Sequence, residues 1–117
     1  MEVPSGYQLE VSKAKVVDYL MNERHPDGRS KAKFFLAQGF VSENWNLLAT
    51  ILKEHYLTAL SVHKERIIWG EVHIVEAPLH PKSGRMRLIR TVWVIENESQ
   101  LVRLVTAYPI KRRGHDS

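Results

Sequence analysis

Cysteine is absent from this chain of 117 residues, which removes disulfide bridges, thiolate metal sites and thiol nucleophiles at once. No apolar run approaches the roughly 20 residues of a membrane-spanning helix. Residues 1 to 11 are mixed polar, without the order of charged, apolar and small residues that marks a signal peptide. The expectation is a cytoplasmic protein with no membrane partner. There are six histidines, yet His55, His63, His73 and His80 show no tight ligand spacing. Glu71 and His73 have the parity of one strand face, and two ligands do not make a zinc site. A nucleophile elbow, a phosphate-binding glycine loop and a dinucleotide fingerprint are all missing. No metal and no cofactor are therefore expected.

Hydrophobic content of 44% and charged content of 26% are those of a soluble globular protein. The length suits one domain, 1–117, with residues 1–10 and 111–117 as flexible ends. A net charge of +4 permits a polyanionic partner without requiring one, since part of the excess comes from Lys111-Arg112-Arg113.

Helical spacing comes first along the chain. Ser12 caps a helix through about Met21, with Val16, Val17, Leu20 and Met21 as its apolar stripe. Pro26 and Gly28 punctuate a loop over 22–29. Ser30 caps a short helix, Lys31 to Gln38, that Gly39 ends. Ser42 caps a third, whose stripe is Trp45, Leu48, Ala49, Leu52, Tyr56 and Ala59 or Leu60. Strand-like runs begin near Ile67 with Trp69, Val72, Ile74 and Val75. A loop around Pro78, Pro81, Ser83 and Gly84 precedes a strand from Met86 to Glu96. The fold class is α+β: N-terminal helices packed on a small antiparallel meander of three strands.

The last two strands form a hairpin, because two β-branched and aromatic runs flank the polar link Glu96-Asn97-Glu98-Ser99-Gln100. Pairing Ile95 with Leu101 sets Arg90 opposite Thr106 and Leu88 opposite Tyr108. Leu88, Arg90, Val92 and Val94 then share a face with Val102, Leu104, Thr106 and Tyr108. Trp93 takes the opposite face with Ile89, Ile95 and Val105, as core. A guanidinium beside two hydroxyls is a way to hold a phosphate. The second helix adds to it: Lys31 and Lys33 sit in its first turn, where the dipole opposes a cation by roughly 0.3–1 kcal/mol each. With Arg24, His25 and Arg29 in the adjoining loop, they make a positive cluster at free backbone N–H groups. The plain alternative is that these side chains point into water.

The segment His25-Pro26-Asp27-Gly28-Arg29-Ser30-Lys31-Ala32-Lys33-Phe34-Phe35, followed by Gly39-Phe40 and Trp45, resembles a family of small uncharacterised bacterial domains. That family ends in a hairpin similar to Arg90-Thr91-Val92-Trp93 and Arg103-Leu104-Val105-Thr106-Ala107-Tyr108-Pro109. More distantly, the order of helices before sheet is similar to the ribonuclease superfamily uniting barnase, EndoU, colicin D and RelE-type toxins. Several toxins of that group close with a Thr-x-Tyr pair, as Thr106 and Tyr108 do here.

That resemblance implies a metal-independent endoribonuclease, the toxin of a toxin–antitoxin or effector–immunity pair. Such a reaction uses the ribose 2′-hydroxyl as nucleophile and needs a base, an acid and cations around the phosphorane. His25, with an unperturbed pKa of about 6.5, Arg90, Thr106 and Tyr108 are the expected catalytic set. Arg29, Lys31, Lys33 and Arg87 are the expected substrate-binding cations. RNA would be the substrate, and an acidic antitoxin or immunity protein the partner. The alternative is a non-catalytic interaction domain whose basic surface docks an acidic protein. There, Arg90 pairs with Glu71 or Glu76, His25 caps a turn, and Tyr108 covers the sheet end. The discriminator is whether His25, Lys31, Arg90, Thr106 and Tyr108 meet in one cleft.

Overall fold

A computed structural model describes residues 5–81 and 85–110. The chain begins with a short strand, β1 (Gln8–Glu10). Ser12 then caps α1 (Lys13–Lys15), its side chain accepting from the Lys15 N–H. The next turn is wider than an α-turn: Val16–Leu20 is π-helical, and the Met21 N–H donates to the Val16 carbonyl at 2.7 Å. Such single π turns are frequent at functional sites. Two longer helices follow, α2 (Arg29–Ala37) and α3 (Trp45–Thr58), the second entered through a 3-10 turn at Ser42–Asn44. Four strands complete the fold: β2 (Val62–Ile67), β3 (Gly70–Leu79), β4 (Arg87–Glu96) and β5 (Leu101–Pro109).

The α+β class stands, and the sheet is larger than the sequence suggests. Five strands lie in the order β1-β5-β4-β3-β2. All neighbours pair antiparallel except β1, which runs parallel to β5 through Gln8–Leu101, Leu9–Val102 and Glu10–Arg103. The expected flexible end 111–117 lies outside the described residues, as do residues 1–4 of the other, whereas Gln8–Glu10 is a strand. The run taken to start near Ile67 is already under way at Val62; Ile68 and Trp69 form the β2–β3 turn and stand exposed. β2 carries no hydrophobic signal because it is an edge strand showing His63, Lys64, Glu65 and Arg66 to water. Charges on an edge discourage pairing with another chain. Pro78 lies within β3, not in a loop, past the end of β2. Its missing N–H costs little on such an unpaired stretch.

The helices cover the face that carries Val75, Leu79, Ile89, Trp93, Val102, Leu104 and Ala107, all buried. Trp93 is at the centre, fully enclosed, with Tyr56 edge-on at 5.4 Å. Its indole N–H donates to the Thr91 hydroxyl at 2.8 Å, the partner a buried tryptophan requires. That hydroxyl lies 3.2 Å from Nδ1 of buried His55, whose Nε2 lies 2.9 Å from the Ala77 carbonyl. A carbonyl only accepts, so Nε2 carries the proton and Nδ1 accepts from Thr91. The network is complete with His55 neutral, and burial pushes its pKa down.

Candidate functional site

The site is built on the half of β5 that β1 leaves uncovered. Arg90 pairs with Tyr108 and Val92 with Thr106, then Trp93 pairs with Leu104. Val105 is thereby an extra residue, a bulge that shifts the register. The expected pairing of Arg90 with Thr106 is thus corrected to Arg90 with Tyr108. Because the bulge flips parity, Val102 and Leu104 turn into the core and Val105 becomes exposed. Thr106 and Tyr108 keep the face of Arg90 and Val92.

Tyr19, on the π-helical turn, joins the helical half to this strand. Its hydroxyl lies 3.0 Å from the Thr106 hydroxyl. Lys31, in the first turn of α2, holds its ammonium 5.4 Å from the Tyr19 ring centre and 6.0 Å from that of Tyr108. Tyr108 in turn accepts from Arg90 Nη1 at 3.2 Å, while Arg90 Nε donates to Glu76 at 2.6 Å. A continuous series of contacts therefore runs Thr106, Tyr19, Lys31, Tyr108, Arg90, Glu76. A cavity of about 380 Å³ lined by Ser30, Lys31, Tyr108 and Pro109 adjoins it.

His25 meets this series through its ring, 5.0 Å from Tyr19 and edge-on. Its Nδ1 accepts from the backbone N–H groups of Asp27 and Gly28 at 3.0 and 3.1 Å. Backbone N–H groups only donate, so the Nδ1 lone pair is occupied and the proton sits on Nε2. His25 in this arrangement is a turn cap with one outward N–H, not a ready base. Gly28 lets that turn close: a Cβ there would collide with the Tyr19 carbonyl.

The start of α2 also differs from expectation. Gly28, not Ser30, is the capping residue, and the helix begins at Arg29. The free N–H groups are fewer than a Ser30 start implies, because Arg29 N donates to the His25 carbonyl and Ala32 N to the Gly28 carbonyl. Lys31 does not point into water; its ammonium donates to the Asp27 carbonyl at 2.9 Å. Arg29 and Lys33 are exposed on α2 and lie outside the contact series. Arg87 stacks its guanidinium 5.4 Å over Phe34. Of the eight residues singled out from sequence, the geometry joins His25, Lys31, Arg90, Thr106 and Tyr108. Tyr19 was missed because it lies off the apolar stripe that defines its helix. Glu76 was seen only as an ion-pair partner for Arg90, which it is.

Hydrogen bonds that Arg90 donates to Tyr108 and Glu76 push its pKa further up, so its charge is permanent. The cluster offers two cations and three hydroxyls, groups suited to phosphoryl oxygens, beside one carboxylate on a part-open surface. Among the described residues, no three His, Asp or Glu side chains are grouped to hold a metal ion.

A family described as a domain of unknown function, DUF6883, matches residues 3–111. No curated protein matches this sequence. Among solved structures, a chain of a contact-dependent growth inhibition toxin–immunity protein complex from Klebsiella pneumoniae 342 shares the fold, with a TM-score of 0.68 at 16% identity. The similarity covers 92% of this chain and 97% of that one.

Proposed function

We propose, from the premise that the chain belongs to the DUF6883 family of domains of unknown function, that it is a small metal-independent endoribonuclease. It would act as the toxin of a toxin–antitoxin or effector–immunity pair. The observation that carries this reading is the bridge made by Arg90 between Tyr108 and Glu76, with Lys31 over the same tyrosine. Arg90 and Lys31 offset charge on the phosphorane, and whichever of the Thr106 and Tyr19 hydroxyls accepts in their mutual hydrogen bond donates its own O–H to the oxygens. Glu76 is the carboxylate on this face and takes the proton of the ribose 2′-hydroxyl. The 2′-oxygen bonds to phosphorus, and the bond to the 5′-oxygen breaks. Tyr108 accepts from Arg90, which leaves its own O–H to donate toward the departing oxygen. His25 holds the loop and presents Nε2–H as a donor. A shared fold with one chain of a toxin–immunity complex supports the biological setting. The test is induction of the chain in bacteria, with and without Arg90→Ala, followed by inspection of total RNA. Fragmentation with the wild type alone supports the reading; intact RNA with both removes it.

The second reading, a non-catalytic domain that docks an acidic protein, draws on one observation. Arg90 is engaged by Glu76, Lys31 by the Asp27 carbonyl and His25 by its own turn, the internal pairing expected of a structural cluster.

A further inference from the structure

The turn between β2 and β3 departs from the chemistry of its class. Ile67 pairs with Gly70, so Ile68 and Trp69 fill both central positions, where Gly, Asn and Asp ordinarily belong. Ile68 is 97% exposed and Trp69 more than half exposed. This apolar tip is nonetheless fixed in place. Asn97 donates its backbone N–H to the Trp69 carbonyl at 3.0 Å and its Nδ2 to the Ile68 carbonyl at 2.9 Å. Behind the tip, Gly70 lies so close to β4 that a Cβ would collide with the Ile95 carbonyl. The β4–β5 turn beside it breaks a rule as well. Glu98 holds φ at 66°, in the left-handed region that favours glycine and asparagine. Two adjoining turns that break local rules point to function at this end of the sheet.

Beside the tip lies a cavity of about 510 Å³, and Asn97 belongs to both. Tyr7 and Ile95 give its wall apolar surface, while Glu71, Glu96 and Glu98 set three carboxylates against Lys64 and Arg66. Glu71 is bound by His73, and Glu96 by Arg103. Among the described residues, Lys64, Arg66 and Glu98 form no ion pair, and the two cations act on Glu71 only at longer range. One patch therefore holds an apolar knob, a hole and uncommitted charges of both signs. A strongly acidic partner meets the three carboxylates, and a strongly basic one meets the two cations. A second copy, turned about a twofold axis, answers each feature with its opposite, as an isologous contact requires.

We propose that this end of the sheet is the contact between two copies of the chain. Each copy inserts Trp69 and Ile68 into the other's cavity, and Lys64 and Arg66 of one face Glu98 of the other. Tryptophan is enriched among the few residues that dominate such contacts. A knob already held by Asn97 loses little freedom on docking. The inference is independent of the ribonuclease reading. Glu76, at the Arg90 site, lies six residues along β3 from Gly70, about 20 Å in an extended strand, so that site stays open in the dimer.

The experiment is sedimentation equilibrium of the purified full chain from micromolar to submillimolar concentration. The mass is expected to rise to twice that of the chain. Trp69→Ala, at an exposed position, should weaken the dimer about tenfold or more, as truncation of a central anchor does, with an unchanged urea midpoint for the monomer. Arg66→Glu and Glu98→Lys should each weaken it, and the two together should restore it, because the pair is exchanged across the axis. Arg90→Ala should leave the dimer unchanged. A chain that stays monomeric at submillimolar concentration would overturn the proposal, even where a foreign protein captures the tip. A dimer indifferent to Trp69→Ala would overturn it too, as would a double charge variant no tighter than the single ones.

Discussion

Tyr19 and Thr106 stand 87 positions apart in sequence and bring their hydroxyls to 3.0 Å. This contact ties the π-helical turn to the uncovered half of β5. A hydrogen bond of this kind contributes about 0.5–1.5 kcal/mol. Tyr19→Phe and Thr106→Val should each lower the unfolding free energy by an amount in that range. The double variant should lose less than the sum, because both remove one interaction. Strict additivity in a denaturant cycle would show that the bond contributes nothing.

Gly28→Ala should be costly for a reason confined to the site. The added methyl meets the Tyr19 carbonyl and approaches the His25 Cβ to 3.3 Å. Backbone cannot yield there without moving Tyr19 or opening the His25 turn. A loss of about 1–3 kcal/mol, as for overpacking, should accompany altered chemical shifts at Tyr19 and Thr106. Unchanged stability would mean that the turn relaxes freely.

The structure shows why only part of this arrangement is legible in the sequence. The β4–β5 hairpin is plain from its β-branched runs, and parity alone puts Arg90 and Tyr108 on one face. Their direct pairing is hidden, because the bulge at Val105 carries no glycine to mark it. β2 is hidden by the exposed, charged side chains that protect an edge, and β1 by its length of three residues. Trp69 misleads in the other direction: it has the composition of a core strand and the position of a turn, where it is 57% exposed. Tyr19 escapes the α-helical stripe because its turn is π-helical.

Acid should weaken the fold through His55. Burial lowers its pKa in the folded state, so the unfolded chain takes up a proton near pH 6.5 that the folded chain keeps off. The contribution is fully present above that pH and is lost as pH falls below it toward the folded pKa. Glu71, lowered chiefly by its hydrogen bond to His73, adds a loss at lower pH, below its ordinary value of 4.5. The urea midpoint should therefore fall between pH 7.5 and pH 5, and more steeply than that of His55→Gln. Parallel curves for the two proteins would exclude His55 as the source.

Tyr108→Phe removes the O–H that the proposed mechanism aims at the departing oxygen and leaves the ring over which Lys31 and Arg90 sit. Loss of one such preorganised donor typically costs about 10²–10³ in rate. Cleavage should drop by that factor with the fold intact, and EDTA should not alter the wild-type rate. A rate that collapses on chelation would replace this mechanism with a metal-dependent one.

The central claim is tested most directly by the ends of the RNA that the purified protein, freed of any partner, produces. Attack by the 2′-hydroxyl leaves a 2′,3′-cyclic phosphate and a 5′-hydroxyl, and Arg90→Ala should yield neither above background. RNA of several classes left uncut by the wild type, or cut equally by Arg90→Ala, would contradict the account.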